Sequence, residues 1–173
     1  MLTLLFVLIA VAVLGAAAIV GYAIWQPREK FILDTDRMTK AALVDKTSDK
    51  LTFAFDVPYI NNGKDEAVVL DAFVRVYLPV ELYDKALVRG KIYRKEVKRE
   101  DDYFEAWIWR PNINGDMTVQ LELTPLNGAT LAEAVAGLPD FDAALYWECR
   151  GRGLLYTIKK YVTINAAEIK ALL

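Results

Sequence analysis

The sequence contains no histidine, a single cysteine and a single serine in 173 residues. Without histidine, the chain lacks the commonest general base and the commonest metal ligand of proteins. Nucleophiles activated by histidine are therefore excluded, and the lone Ser48 lies in a charged segment. No glycine-rich phosphate-binding motif is present. We therefore expect that the protein is not an enzyme and has no catalytic, cofactor-binding or metal-binding residues.

The single cysteine also excludes an intrachain disulfide, so packing must stabilise the fold. Cys149 ends the segment 145–149, in which apolar and polar side chains alternate as in a half-buried strand. A reactive thiol or a disulfide between chains would need an exposed cysteine. The alternation instead predicts a buried, structural thiol.

Charges of the two signs nearly balance, with 21 basic and 23 acidic residues and a net charge of −2. Such a chain has no long-range field to attract nucleic acid, which we do not expect as a partner. The densest acidic run, Glu100-Asp101-Asp102, offers oxygen atoms of the kind that bind calcium. Because Lys98 and Arg99 precede it between two predicted strands, we interpret it as a solvated turn.

Residues 2–25 carry no charge. As a helix this run would be about 36 Å long, at about 1.5 Å per residue, and would cross a hydrocarbon core of about 30 Å. Tyr22 and Trp25 follow at its end, where aromatic rings favour the membrane interface. We therefore predict that residues 1–26 are a single-pass transmembrane anchor and that the bilayer is the partner of residues 1–25. A cleaved signal peptide is the alternative, but the run is long and no basic residue precedes it, so we expect retention.

Two pairs of small residues in the anchor have the four-residue spacing that lets a second helix approach closely. They are Ala12 with Ala16, and Ala17 with Gly21. These pairs predict helix–helix packing, although small residues are also simply common in membrane helices.

Two features bear on the side of the membrane on which the β domain lies. Basic residues, beginning with Arg28 and Lys30, follow the anchor and favour the cytoplasm. Anchored β-sandwiches, by analogy, lie more often on the outer side. We expect an extracytoplasmic domain, with a cytoplasmic one as the alternative.

The rest of the chain divides into a polar connector at 27–50, with a possible first strand at 40–45, and a β domain at 51–173. Alternating patterns predict strands at 51–59, 68–78, 87–97, 103–109, 117–124, 141–149 and 154–164. In the second of these, Val68, Leu70 and the following even-numbered residues are predicted to share one face. A capping box at Thr130 and Glu133 and a cap at Asn165 predict two short helices.

This pattern is typical of a mostly β fold. We predict an immunoglobulin-like antiparallel β-sandwich of seven or eight strands, with one N-terminal transmembrane helix and two short helices. A closed barrel is the alternative.

Residues 55–67 read Phe-Asp-Val-Pro-Tyr-Ile-Asn-Asn-Gly-Lys-Asp-Glu-Ala, a strand followed by an Asn-Gly turn with a small acidic insertion. A long strand that closes in Leu78-Pro79 comes next. Over residues 50–80 this pattern resembles immunoglobulin-like β-sandwich domains of the late-embryogenesis-abundant and CARDB-like kinds. The resemblance implies an adhesion, scaffold or accessory module without family catalytic residues. The tryptophan and cysteine pair of antibody domains is absent.

The segment 103–109 is apolar on both faces of its predicted strand. Tyr103, Trp107 and Trp109 share one face, and exposed residues of these types suit a binding surface. We predict that these three contact a protein partner, with cover by the protein's own loops as the alternative. Basic residues are frequent in the predicted strand at 87–97, and Lys159 and Lys160 lie in the predicted strand at 154–164. We interpret these basic residues as protection of sheet edges, with attraction to lipid headgroups as the alternative.

Taken together, these patterns predict a non-catalytic, membrane-anchored interaction or structural module, an accessory or assembly subunit of a larger membrane complex. Its partner would be another protein or further copies of this chain. One alternative is a filament or surface-layer subunit in which the helices form a pilin-like core. Another is a domain that binds lipid or a small apolar ligand between its sheets.

Overall fold

The computed structural model describes residues 2–26, 28–78, 81, 83–98 and 103–173. Its first element is α1, Leu2–Trp25, a helix of 24 residues. No residue of α1 is buried against the rest of the described chain. The helix is long and apolar enough to cross a membrane, a test that a signal sequence also passes.

Nine strands follow α1 in the described residues, in agreement with the predicted mostly β fold. They are β1 (Phe31–Leu33), β2 (Ala42–Lys46), β3 (Leu51–Asn61), β4 (Ala67–Tyr77), β5 (Ala86–Arg94), β6 (Trp107–Trp109), β7 (Asn114–Pro125), β8 (Phe141–Arg150) and β9 (Tyr156–Ile164). The short helices are α2 (Leu131–Ala136), α3 (Ala166–Lys170) and a 3-10 turn, Thr35–Arg37. Thr130 and Glu133 form the predicted capping box of α2, and Asn165 caps α3.

The strands form two antiparallel sheets. In sheet A the order is β1-β3-β7-β5, and β2 pairs with β3 as well. In sheet B the order is β6-β4-β8-β9. The set β2-β3-β7-β5 opposite β4-β8-β9 has the strand order of a constant-type immunoglobulin domain, to which β1 and β6 are added. The predicted sandwich is therefore confirmed, and the alternative of a closed barrel is wrong because the described strands pair within two separate sheets.

The strand count exceeds the predicted seven or eight because β1 lies in residues 27–50, which we interpreted as a connector. β1 and β2 pair with opposite halves of β3: Phe31 with Asn61 in one half, and Lys46 with Leu51 in the other. The possible strand predicted at 40–45 corresponds to β2, whereas the three residues of β1 give too little alternation to stand out in a polar sequence. The sandwich thus begins within a few residues of α1.

At the start of β4, the side chains that point to the core are not the ones that the sequence predicts. A bulge between Val69 and Asp71 shifts the register of β4 against β8. Val69 is buried before the bulge and Ala72 after it. Val68 and Leu70, predicted to share the face of Ala72, therefore point outward, and Leu70 is 41% exposed. One extra residue exchanges the two faces because side chains alternate along a strand.

Large side chains fill the space between the sheets. The largest fully buried ones include Trp109, Trp147, Phe53, Leu51, Met117, Leu121, Leu123 and Leu145. Cys149 is also buried, as predicted, and desolvation there raises the pKa of its thiol to about 12. It is consequently an unreactive thiol at neutral pH.

The sandwich is joined tightly to the end of α1. The backbone N–H of Asn62 donates to the carbonyl of Lys30 at 2.8 Å, and that of Lys64 donates to the carbonyl of Arg28 at 3.0 Å. A Cβ atom at Gly63 would overlap the backbone of both Arg28 and Lys30. Glycine is therefore required at this crossing, and the loops 61–66, 110–113 and 151–155 form the end of the sandwich nearest the helix.

Candidate interaction surface

The structure separates the three residues predicted to contact a partner. Tyr103 is 77% exposed and precedes β6, Trp107 is half-buried, and Trp109 is only 1% exposed. Trp109 stacks on Phe31 with ring centroids 4.3 Å apart, and Tyr59 meets it edge-on at 4.4 Å. The expectation that Trp109 offers a partner surface is thus corrected by its burial. Phe31 of strand β1, and not a partner protein, covers the Trp109 ring.

Trp107 is also engaged by residues of this chain. Its ring lies 5.3 Å from that of Phe104, and the guanidinium of Arg94 lies 5.2 Å above it. Such contacts are typical of the margin of a core. A partner contact through Tyr103 and Trp107 stays a prediction.

The small residues of α1 lie on an uncovered helix. Gly21 has no atom of another element within 4 Å of a Cβ built on it, and Ala12, Ala16 and Ala17 are exposed. Close packing of a second helix along them also stays a prediction.

Sequence reasoning missed a different aromatic surface, on the outer side of sheet B. It consists of six side chains that we call the sheet B face: Phe73, Arg75, Tyr77, Tyr146, Lys159 and Tyr161. The register places them in cross-strand rows, since Phe73 pairs with Tyr146 and Tyr146 with Lys159. These are the positions at which side chains interact across a sheet.

Aromatic stacking forms the centre of this face. The rings of Phe73 and Tyr146 lie 4.8 Å apart and within 9° of parallel. The guanidinium of Arg75 lies 5.7 Å from the Phe73 centroid and 5.6 Å from that of Tyr146. A cation at these distances from two rings is attracted by both, so the contacts fix Arg75 over the stack.

Lys159 forms the second cationic centre. Its ammonium lies 4.4 Å from the ring centroid of Tyr161, 5.1 Å from that of Tyr146 and 5.9 Å from that of Tyr77. The hydroxyls of Tyr77 and Tyr146 are 3.2 Å apart. Three tyrosines therefore surround one lysine on the outside of the sheet.

The pKa values of this group follow from its hydrogen bonds. A hydrogen bond with Tyr77, and the ammonium of Lys159, lower the pKa of the Tyr146 phenol. The same hydrogen bond raises the pKa of Tyr77, which fits Tyr77 as the donor. Hydrogen bonds with Tyr161 and Tyr146 raise the pKa of Lys159, so the lysine stays charged at physiological pH.

We expect Lys159→Met to raise the pKa of Tyr146. The substitution removes the cation that stabilises the phenolate, so the phenolate forms at higher pH than in the wild type. The measurement is a pH titration of the tyrosines by NMR with labelled ring carbons. Lys160→Met is the matched control, because Lys160 is the next residue of β9 and points to the other side. An unchanged Tyr146 titration in Lys159→Met would contradict the arrangement.

The sheet B face has the chemistry of a protein-binding surface. Tyr77 is 45% and Tyr161 55% exposed, and exposed tyrosine and arginine are enriched among residues that dominate binding energies. Among the described residues, no carboxylate forms an ion pair with Arg75 or Lys159. Both cations can therefore accept a carboxylate from outside the chain.

The alternation in β4 had already put Phe73, Arg75 and Tyr77 on one side. The pairing with β8 and β9 could not be read from it, because register depends on the bulge at Val69 and Asp71. The signal present in the sequence was that three large side chains, Phe73, Arg75 and Tyr77, share the face opposite the even-numbered apolar residues.

The sequence raises two further kinds of site, a metal site and a cavity for an apolar ligand. The acidic run Glu100-Asp101-Asp102 lies outside the described residues, and the residues that are described contain no cluster of ligands for a metal ion. Four cavities of the described chain, of about 260 to 400 Å³, are lined mainly by loop residues and by residues of the outer strand faces. Binding of a lipid or a small apolar ligand between the sheets stays an alternative.

Comparison with known proteins gives a fold resemblance only. No family model and no curated protein matches the chain. Among solved structures, it is similar to the ApaA protein of Bordetella pertussis, at 13% identity over 79% of this chain and 94% of that one, with a TM-score of 0.42. It is also similar to the GAE domain of GGA2p from Saccharomyces cerevisiae, at 6% identity over 80% and 99%, with a TM-score of 0.38. Resemblances of this size say nothing about what the chain binds.

The strand order and the sheet B face define the class of the protein. It is a β-sandwich with immunoglobulin-like topology behind one apolar helix, with an exposed aromatic and cationic surface on one sheet. The finer likeness of residues 50–80 to late-embryogenesis-abundant and CARDB-like domains has no family match behind it.

Proposed function

We propose that this chain is a non-catalytic, membrane-anchored interaction module, an accessory subunit of a larger membrane assembly. The observation that carries the proposal is the sheet B face: two cations, Arg75 and Lys159, lie over aromatic rings on a domain joined directly to an apolar helix. Two rings of this face, Tyr77 and Tyr161, are exposed. Rigid β-strands hold every one of these side chains. Preorganisation of this kind favours binding because little side-chain entropy is lost.

The anchor supports the membrane part of the proposal. α1 has no cover in the described chain, and a helix that is apolar all round is stable only in lipid or in a bundle of similar helices. The filament alternative uses the same property, with α1 in a bundle. We favour the bilayer because Tyr22 and Trp25 lie at the sandwich end of the helix, where a membrane interface would be.

The charges favour a partner other than a second copy of this face. Two copies packed face to face would bring Arg75 and Lys159 of each chain together, and like charges in an interface are unfavourable. A protein that presents carboxylates beside apolar side chains fits both the cations and the rings. We propose an extracytoplasmic position for the sandwich by analogy with anchored β-sandwiches, with the cytoplasmic side, which the basic residues after α1 favour, as the alternative.

Photocrosslinking in intact cells tests the proposal. We expect p-benzoylphenylalanine at position 161, in the sheet B face, to form adducts with a specific protein. The same residue at position 93 is the control, because Tyr93 lies on the outer side of sheet A. Arg75→Glu with Lys159→Glu should lower the adduct yield about tenfold or more, since a residue that dominates binding contributes about 2 kcal/mol or more.

Equal adduct yields at positions 161 and 93 would contradict the proposal. So would a yield at position 161 that the double charge reversal leaves unchanged. The variants must remain in the membrane fraction at wild-type amount, which separates a binding defect from loss of the protein.

A further inference from the structure

The loop that joins β8 to β9 exposes two leucines beside the anchor. Leu154 is 90% exposed, more than any other large apolar side chain of the described chain, and the adjacent Leu155 is 54% exposed. Two neighbouring leucines in water are unfavourable at roughly 25 cal/mol per Å² of apolar surface. An exposed apolar loop of this kind marks a contact that the isolated chain does not contain.

The position of the loop along α1 is fixed by specific contacts. Arg152 donates a hydrogen bond to the side-chain carbonyl of Gln26 at 3.1 Å. Ala23, Gln26 and Leu154 line one cavity of about 400 Å³ between the loop and the helix. The leucine therefore lies beside the last turn of α1, which also contains Trp25, 80% exposed.

The residues around the leucines suit a lipid surface. Arg28 and Arg150 are exposed near the loop, and Arg28 lines the cavity beside Leu154 together with Glu29. Arg152 is already paired with Asp65, at 2.7 Å, and so holds the loop in place rather than adding free charge. Leucine prefers the acyl boundary beneath the headgroups, whichever side of the membrane the sandwich occupies.

We propose that Leu154 and Leu155 enter the headgroup region of the bilayer next to α1, as a second membrane contact of the sandwich. This inference rests on the proposed function, because it requires α1 to lie in the bilayer. With two contacts instead of one, the sandwich has a defined tilt on the membrane. The sheet B face then points in a fixed direction relative to the membrane. Its residue Tyr146 lies four residues along β8 from Arg150, a distance of roughly 13 Å.

The test uses the full-length protein in vesicles of phosphatidylcholine and phosphatidylglycerol. Leu154→Cys is labelled with an environment-sensitive fluorophore, and lipids that carry nitroxides serve as quenchers. Leu126→Cys, at the opposite end of the sandwich, is the matched control, and Val13→Cys reports on the helix. Cys149 can stay, because it is buried and its pKa is raised to about 12.

We expect the label at position 154 to lose most of its fluorescence to lipid-bound quenchers, while the label at 126 keeps it. Quenching at 13 without quenching at 154 would overturn this inference and leave the anchor intact. A label at 154 that is shielded from aqueous iodide yet not quenched by lipid would mean that a protein covers the loop, which also overturns it. Absence of quenching at 13 would remove the anchor and this inference together.

Discussion

Asn61→Ala is expected to lower the free energy of unfolding of the sandwich by about 3 kcal/mol or more. The Asn61 side chain is completely buried and has four hydrogen-bond partners. Its Oδ1 accepts from the backbone N–H of Lys30 at 3.1 Å and of Gly63 at 3.0 Å. Its Nδ2 donates to the carbonyls of Asp65 at 2.9 Å and of Trp109 at 3.1 Å.

Alanine would leave these four backbone groups without the partner that now satisfies them, at a cost of about 1–3 kcal/mol for each one that stays buried. The effect is large because the four groups come from three separate places: the segment after α1, the turn after β3, and β6. One amide therefore ties the segment that follows α1 to both sheets.

Denaturant unfolding of the full-length protein in detergent, followed by tryptophan fluorescence, measures this effect. Asn62→Ala is the matched control, since Asn62 is the adjacent exposed asparagine, and it should change stability by less than about 0.5 kcal/mol. A loss in Asn61→Ala no larger than that of the control would contradict the role assigned to this amide.

Trp109→Ala is the second substitution for which we expect a large effect, a loss of about 3–5 kcal/mol. The Trp109 ring lies at the meeting point of β1, β3, β6 and β8, where Phe31, Tyr59 and Trp147 contact it. Its removal leaves a cavity that four strands would have to close. Circular dichroism during denaturation measures the loss without relying on tryptophan fluorescence.

The stabilities of Trp109→Phe and Trp147→Phe can be compared directly, because both substitutions replace a buried tryptophan with phenylalanine. Trp109 Nε1 donates to the carbonyl of Ile113 at 2.9 Å, whereas the Trp147 Nε1 has no partner within the described chain. Trp109→Phe therefore loses a hydrogen bond that Trp147→Phe does not, and should cost about 1 kcal/mol more. Equal losses, or a larger loss in Trp147→Phe, would contradict the hydrogen-bond assignment.

Strands with clear alternation, such as β3 and β7, could be predicted from the sequence, as could both caps and the apolar helix. β1 could not, because three residues of strand in a polar segment carry no period of their own. Its absence from the prediction led directly to the error at Trp109: without Phe31 to stack on that indole, the aromatic segment seemed to need a partner.

The sheet B face was missed for a related reason. The face depends on which residue of β8 lies beside each residue of β4, and a bulge at one position changes that pairing for the rest of the strand. Sequence patterns report which side of a strand is apolar. They do not report that Lys159 lies within reach of three tyrosines from three strands.

The position of α1 in the intact protein decides whether the chain is anchored in a membrane. Flotation of the full-length protein with membranes after an alkaline wash tests this. We expect the chain to float at its full mass, and Ala12→Arg with Ala16→Arg to release it, because each arginine near the helix centre costs about 2.5–3.5 kcal/mol. A wild-type chain that stays in the soluble fraction, or that has lost residues 1–26, would contradict the account.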